Sequence, residues 1–209
     1  MNIFNLLVYF RTLYEAMKKE FAKFLFTKVW GWRVEGEYPY HVKKFLITVA
    51  PHTSFQDFPI GILFRNWYGV KINFVIKAEL GNNPIIGPFI RWMGGIPVQR
   101  NKATNFVQSV AKKYEEYDSL YITITPEGTR KKVDKFKSGF YYIAKEADIP
   151  ILPIVFDFEH KTLRILSLFH LNDNNPKEDI QKFENLYRGY LGKHPQNSFG
   201  SREPTELMT

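Results

Sequence analysis

The chain alternates short apolar runs, rich in β-branched and aromatic residues, with longer segments whose apolar residues recur at helical spacing. A short run of this kind between turn signals indicates a β-strand, and apolar residues three and four positions apart indicate an amphipathic helix. The predicted strands are residues 45–50, 70–76, 120–125, 151–158 and 162–168. The predicted helices are residues 104–117, 139–147 and 176–191. Strands that alternate with helices predict an α/β domain.

The first thirty residues form a separate pattern. Charged side chains interrupt this segment at Arg11, Glu15, Lys18, Lys19, Glu20, Lys23 and Lys28. No run therefore approaches the roughly 20 uncharged residues of a membrane span, and the order of apolar and basic parts is not that of a signal peptide. At helical spacing, one apolar stripe collects Ile3, Leu7, Phe10, Tyr14, Met17, Phe21, Phe24 and Leu25. The segment is predicted to be an amphipathic helix.

Two roles are open for this helix. Its stripe can pack on the core of the domain, which is the commoner fate of such a helix, or it can lie on a membrane surface. Aromatic side chains in the stripe, lysines beside it, and Trp30 and Trp32 at its end favour the membrane surface.

The length of 209 residues predicts one domain with an attached element. No internal repeat and no linker rich in Gly and Ser divides the sequence. We therefore predict three segments: the amphipathic helix at residues 1–30, whose role is still open, a domain at residues 31–192 large enough for catalysis, and a polar C-terminal tail at residues 193–209.

Composition limits the chemistry. The chain has no cysteine, which excludes a disulfide scaffold, thiolate metal sites and a cysteine nucleophile. The 29 Lys and Arg residues against 21 Asp and Glu give a net charge of +8, which favours anionic partners such as nucleic acid, anionic lipid or phosphorylated substrates. The basic residues are scattered, and no nucleic-acid-binding motif is present, so nucleic acid is not an expected partner.

A histidine and an aspartate follow the first predicted strand. The run FLITVA leads into PHTSFQD, which puts His52 in the turn at the strand's carboxyl end and Asp57 five residues later, in the first turn of a helix. Ligands of open α/β sheets bind at such strand ends. A carboxylate can orient a neutral imidazole, and the imidazole can then take a proton from an alcohol. The spacing predicts a His–Asp dyad that acts as a general base on a substrate hydroxyl, although a histidine bonded only within its turn is also compatible with it.

Two arginines lie in turns that contain glycine. Arg100 ends the glycine-rich segment of residues 77–100, and Arg130 ends the turn TPEGTR after the strand at residues 120–125. A guanidinium matches phosphate oxygens, and glycine lets backbone N–H groups come close to an anion. Both arginines are candidate phosphate ligands, although either one taken separately is more often an ordinary exposed arginine in a turn.

Four blocks in this order resemble the glycerophospholipid acyltransferase superfamily, typified by 1-acylglycerol-3-phosphate acyltransferase. The first is H-x-x-x-x-D at His52–Asp57, and the second is the K-x-E-L, Pro, Gly and Arg pattern at Lys77–Arg100. The third is P-E-G-T-R at Pro126–Arg130, with an F-K-x-G sequence at Phe136–Gly139. The fourth is the apolar run IPILPI at Ile149–Ile154. An ordered series is far more specific than any single block.

The resemblance implies a fold and a set of roles. The fold is a mixed β-sheet flanked by helices, with residues 31–192 as the acyltransferase domain and the helix at residues 1–30 as a membrane-associating anchor. His52 is then the general base and Asp57 its partner. The residues that this resemblance assigns to substrate binding are Lys77, Arg100, Glu127, Gly128, Thr129 and Arg130.

The implied reaction is transfer of a fatty acyl group from acyl-CoA or acyl carrier protein to the hydroxyl of a lysophospholipid or glycerophosphate-type acceptor, in phospholipid biosynthesis. No metal and no cofactor are expected. The expected location is cytoplasmic, peripheral on the inner face of the cell membrane. Two alternatives are a non-catalytic lipid-binding protein of the same fold and acylation of a non-phosphorylated lyso-aminolipid.

Overall fold

The structure, a computed structural model, describes residues 3–99, 103–172 and 175–200. The α-helices are α1 (Ile3–Phe24), α2 (Asp57–Tyr68), α3 (Ala78–Gly81), α4 (Gly87–Trp92), α5 (Ala103–Glu115), α6 (Gly139–Glu146) and α7 (Pro176–Asn185). The strands are β1 (Arg33–Glu35), β2 (Lys44–Ala50), β3 (Ile72–Lys77), β4 (Gly95–Val98), β5 (Leu120–Ile124), β6 (Ile151–Asp157) and β7 (Thr162–Ile165). A π-helical segment at Leu25–Val29 and a 3₁₀ turn at Pro195–Asn197 complete the assignment.

The strands form one seven-stranded sheet in the order β1-β7-β6-β2-β5-β3-β4. Strands β4, β3, β5, β2 and β6 run parallel, and β7 is antiparallel to β6. The predicted α/β class, with a mixed sheet flanked by helices, is confirmed. All seven residues of β6 are buried, which is why this strand is an apolar run rather than an alternating one.

The chain has two compact units, and the smaller one is helical: Met1–Arg33 with Phe55–Val70. Inside it, α1 packs along α2, and the buried Phe26 ring contacts both Trp32 and Trp67. Trp32 is therefore part of this core and not an interfacial side chain, which corrects the sequence interpretation. Within the residues that the structure describes, no helix is both long and apolar enough to span a membrane.

The apolar stripe of α1 is exposed where the structure describes its side chains; those of Ile3 and Leu7 lie outside the described part. Of the residues whose side chains the structure describes, Tyr14, Met17 and Phe21 are 63–64% exposed, and the large apolar side chains at their neighbouring stripe positions, Phe10 and Phe24, are exposed as well. These side chains therefore do not pack on a core, although most amphipathic helices of globular proteins bury their apolar face in this way.

The larger unit, Val34–Ser54 with Lys71–Thr209, contains the sheet and its core. Its C-terminal part differs from expectation. Helix α7 ends at Asn185 rather than at residue 191. The next three residues continue as turns with i→i−3 hydrogen bonds, and the chain then reaches Gly189 in a left-handed conformation (φ +86°). The segment predicted as a polar tail is exposed at residues 193–196, but Ser198 and Phe199 within it are buried. Residues 201–209 lie outside the described residues.

The predicted strands and helices are otherwise present with shifted ends. The elements that the sequence analysis missed are short: β1, β4, α3 and α4 have three to six residues each. Elements this short contain too few residues for a helical or strand periodicity to be recognised.

Candidate active site

His52 lies at the carboxyl edge of the sheet. Strand β2 ends at Ala50, and β5, its parallel neighbour, ends at Ile124. Parallel neighbours end at the same edge, so the turn that follows β5 lies beside the histidine. The His52 backbone N–H donates to Oε2 of Glu127 at 2.6 Å, and Glu127 is only 1% exposed. The structure thus joins the first and third sequence blocks through a backbone-to-carboxylate hydrogen bond.

The turn after β5 is tight. The Gly128 N–H donates to the Thr125 carbonyl at 3.1 Å, and Gly128 has φ of +63°, a region that favours glycine. The backbone N–H of Lys131 donates to Thr129 Oγ1 at 3.3 Å, and Arg130 is exposed. The sequence-predicted residues of this turn therefore lie together, next to the His52 loop.

Lys137 is a residue that the sequence analysis did not assign. Its N–H donates to the Pro126 carbonyl at 2.9 Å, and its side chain lies over Gly128, because a Cβ on that glycine would be 2.8 Å from Lys137 Nζ. The ammonium group is thus held against the same turn as Arg130. The F-K-x-G sequence, which contains Lys137, was the signal available for it.

A buried side chain from outside the sheet, that of Tyr187, forms hydrogen bonds with Thr48 in β2. The Tyr187 hydroxyl donates to the Thr48 carbonyl at 3.0 Å, and its oxygen lies 2.8 Å from Thr48 Oγ1. Burial raises the pKa of Tyr187 above its ordinary value, so the hydroxyl stays protonated. No sequence pattern links these two residues, which are 139 positions apart.

Asp57 begins α2 and belongs to the helical unit. Its side chain is buried, 4% exposed, and a carboxylate in the first turn interacts favourably with the helix dipole. The predicted placement of Asp57 in a first helical turn is confirmed. The His52–Asp57 dyad itself remains a prediction.

The second block contributes one described candidate. Lys77 ends β3, which is parallel to β5 on the side opposite β2, and its side chain is exposed. It therefore leaves the sheet at the same edge as His52. Arg100, the other candidate of this block, lies outside the described residues.

Within the described ranges, one group of side chains has the spacing of metal ligands: Asp157, Glu159 and His160 in the β6–β7 turn, with ligand atoms within 4.8 Å of one another. Asp157 already pairs with Arg164, whose Nη2 lies 3.1 Å from Oδ2, and with His160 Nδ1 at 2.9 Å. These contacts give the group a structural role in the turn.

The known proteins that this chain resembles are acyltransferases. Residues 31–157 match the family model described as acyltransferase. The chain is 35% identical over 120 residues to the 1-acyl-sn-glycerol-3-phosphate acyltransferase of Haemophilus influenzae, covering 51% of this chain and 50% of that protein. It is 29% identical over 133 residues to the enzyme of the same name from Streptococcus pneumoniae, covering 60% and 49%. The chain thus spans about half the length of the curated relatives it matches.

A solved structure shares the fold. The crystal structure of the 1-acyl-sn-glycerophosphate acyltransferase PlsC from Thermotoga maritima aligns with a TM-score of 0.53 at 20% identity, over 86% of this chain and 81% of that one. The matched family model covers well over half of the 209 residues and includes His52, Lys77 and the Glu127–Arg130 turn. The chain therefore belongs to the acyltransferase family.

Proposed function

We propose that this protein transfers a fatty acyl group from a thioester, acyl-CoA or acyl carrier protein, to the hydroxyl of a lysophospholipid or glycerophosphate-type acceptor. The observation that supports this most directly is the bond between the His52 N–H and buried Glu127. This bond joins the His52 loop to the Glu127–Arg130 turn at the edge where α/β sheets bind ligands, which supports a base and a phosphate site close to each other.

In the proposed reaction, the His52 imidazole takes the proton of the acceptor hydroxyl as its oxygen attacks the thioester carbonyl carbon. The tetrahedral intermediate collapses, the C–S bond breaks, and the departing thiolate takes the proton from the imidazolium. The products are the ester and a free thiol. Asp57 would orient the ring and stabilise its charged form, as a carboxylate does in other histidine-based sites. This route uses no acyl-enzyme and no metal.

The acceptor's phosphate would bind the turn after β5. Arg130 offers paired N–H donors and Thr129 a hydroxyl, while Lys137 adds a positive charge over Gly128. Lys77 reaches the same edge of the sheet from β3. Arg100 joins this set on the resemblance of its sequence block.

Glu127 has a different role in this proposal. Its nearly complete burial leaves little surface for a substrate, and its carboxylate binds the backbone of His52 instead. A negative charge would also repel a phosphate. We therefore place Glu127 among the residues that position the base rather than among those that bind the acceptor.

The exposed stripe of α1 would dock on the membrane surface where both substrates reside. Aromatic side chains at Tyr14 and Phe21, with basic residues such as Lys18 on the same helix, are typical of an interfacial helix. The location we propose is therefore peripheral, on the inner face of the cell membrane.

The test is an acyl-transfer assay with a panel of lysolipid acceptors and both kinds of thioester donor. His52→Ala should lower turnover by about 10²- to 10⁴-fold, because a general base is lost. His41→Ala, an exposed histidine in the same unit, is the matched control and should retain activity. A His52→Ala enzyme with more than a tenth of normal turnover would contradict the proposal.

The same panel separates the alternatives. Lipid binding without turnover for any donor and acceptor pair would identify a non-catalytic lipid-binding protein. Turnover that prefers a lyso-aminolipid over a phosphate-bearing lysolipid would replace the proposed acceptor.

A further inference from the structure

The residue after the candidate base is held by a distant part of the chain. Thr53 is 3% exposed, and its Oγ1 accepts a hydrogen bond from the His194 backbone N–H at 3.0 Å. The two residues are 141 positions apart. A side chain inside the H-x-x-x-x-D block is thus fixed by backbone that lies beyond residue 157, where the family match ends.

Gly192 makes this contact close. A Cβ at this position would lie 2.5 Å from Thr53 Oγ1, 2.9 Å from Thr53 Cγ2 and 3.2 Å from Pro51 Cβ. Distances under 3.0 Å to a buried side chain leave no room for a methyl group. Glycine is required here because the backbone approaches the histidine loop (Pro51–Ser54), and not because of a left-handed conformation.

The segment that makes the contact, Leu191–Phe199, is anchored at both ends. The Leu191 carbonyl accepts from the Phe158 N–H at 2.8 Å, beside the end of β6. The Gly192 N–H donates to Ser198 Oγ at 2.8 Å, which closes the segment on itself. Phe199 is buried, with its ring centroid 4.2 Å from that of Phe136 in the core of the sheet unit. A segment fixed in this way can hold the loop in one position.

The histidine loop is therefore restrained at two successive residues. Glu127 binds the backbone N–H of His52, and the Leu191–Phe199 segment binds the side chain of Thr53. Together these two contacts limit the rotation of the backbone that carries the imidazole.

We propose that the Leu191–Phe199 segment positions His52 for catalysis, with Thr53 and Gly192 as its positioning residues. The proposal rests on the proposed function, because it assigns the segment a role in the work of His52. Misplacement of a reacting group by about 1 Å can cost about 100-fold in rate, so loss of the Thr53 contact should lower kcat while leaving substrate binding nearly unchanged.

The test compares Thr53→Val, which removes the acceptor oxygen but keeps the shape, with Thr53→Ser, which keeps the oxygen. We expect kcat of Thr53→Val to fall about 10-fold or more with both KM values within about twofold, and Thr53→Ser to retain most of the activity. Gly192→Ala should resemble Thr53→Val. Gly61→Ala is its matched control, because a Cβ at Gly61 in α2 meets nothing within 4 Å.

A second measurement does not depend on turnover. Hydrogen exchange of the full-length protein should show faster exchange at residues 52–54 in Thr53→Val, by about 10-fold, and normal exchange in Thr53→Ser. If wild-type protein transfers no acyl group, the proposed function fails, while the exchange result still decides whether the segment holds the loop.

The proposal is overturned if Thr53→Val keeps both the wild-type kcat and wild-type exchange at residues 52–54. It is also overturned if the valine and serine variants lose activity equally, because the hydrogen bond is then not the link. Should Gly192→Ala not yield folded protein, the Thr53 pair carries the test alone.

Discussion

Replacement of Glu127 tests whether this carboxylate supports the base or binds the acceptor. Its bond to the His52 N–H, at 2.6 Å, is charge-assisted because the acceptor is a carboxylate oxygen. Such bonds contribute about 1.5–3 kcal/mol, and a donor left without a partner in a partly buried site costs a similar amount. Glu127→Ala should therefore lower the free energy of unfolding by about 2–3 kcal/mol. For a chain of this size that corresponds to a Tm lower by about 5–10 °C.

Glu127→Gln separates charge from geometry. Its amide oxygen can still accept from the His52 N–H, so the expected loss of stability is about 1 kcal/mol. We expect kcat to fall about 10-fold in the alanine variant and less in the glutamine variant, with the acceptor KM changed by less than about threefold in both.

Thermal unfolding and steady-state kinetics with varied acceptor measure both effects. Glu116→Gln is the control, since this exposed residue pairs on the surface with Lys113 at 2.9 Å and its replacement should change stability by less than about 0.5 kcal/mol. An acceptor KM raised about 10-fold at unchanged kcat and unchanged Tm would refute the positioning role and return Glu127 to the acceptor site.

Three further perturbations address other parts of the structure. Arg130→Ala and Lys137→Ala should each raise the acceptor KM about 10-fold with a smaller effect on the donor KM, and an unchanged acceptor dependence in both would remove the phosphate site. The double variant Met17→Asp/Phe21→Asp should sediment less with anionic vesicles than wild type does. The fold should stay intact because both side chains are exposed. Binding equal to that of wild type would exclude docking through α1. Burial raises the pKa of Tyr38, Tyr114 and Tyr187, so the native state keeps these protons after the unfolded chain has released them, and stability should fall as pH rises above about 10. Denaturant unfolding between pH 8 and 11 measures this, and Tyr187→Phe should have a shallower decline than wild type; an identical decline would contradict the assignment for that residue.

Local pattern was sufficient to find the five longer strand regions of the sheet and to locate His52 at the end of one of them. Apolar runs such as residues 45–50 and 151–158 indicate strands because a central parallel strand is buried on both faces, as β6 is. His52 was located at a strand end because the run stops at a proline, and the structure places β2 in the middle of the sheet. Both inferences depend on residues that are neighbours in sequence, and such relations can be read from the sequence directly.

The membrane question was left open by the sequence, because an amphipathic stripe is the same whether it packs on a core or on lipid. Only the tertiary structure shows that the side chains of Tyr14 and Met17 are exposed. The same holds for Trp32, whose position at the end of the helix was compatible with an interface, whereas its ring packs on Phe26.

The sequence by itself determined the α/β class, the strand that leads into the His52 turn, and the family to which the blocks belong. Only the tertiary structure decided what surrounds the histidine: the Glu127 carboxylate on its backbone, Lys137 over Gly128, and the Leu191–Phe199 segment on Thr53. The Glu127 and Thr53 contacts join residues 75 and 141 positions apart, and no periodicity in the sequence records them. Gly192 illustrates the physical reason. In a sequence, a glycine that ends a helix cannot be distinguished from a glycine that lets two backbone segments come close. Only the folded chain shows that Gly192 packs against Thr53.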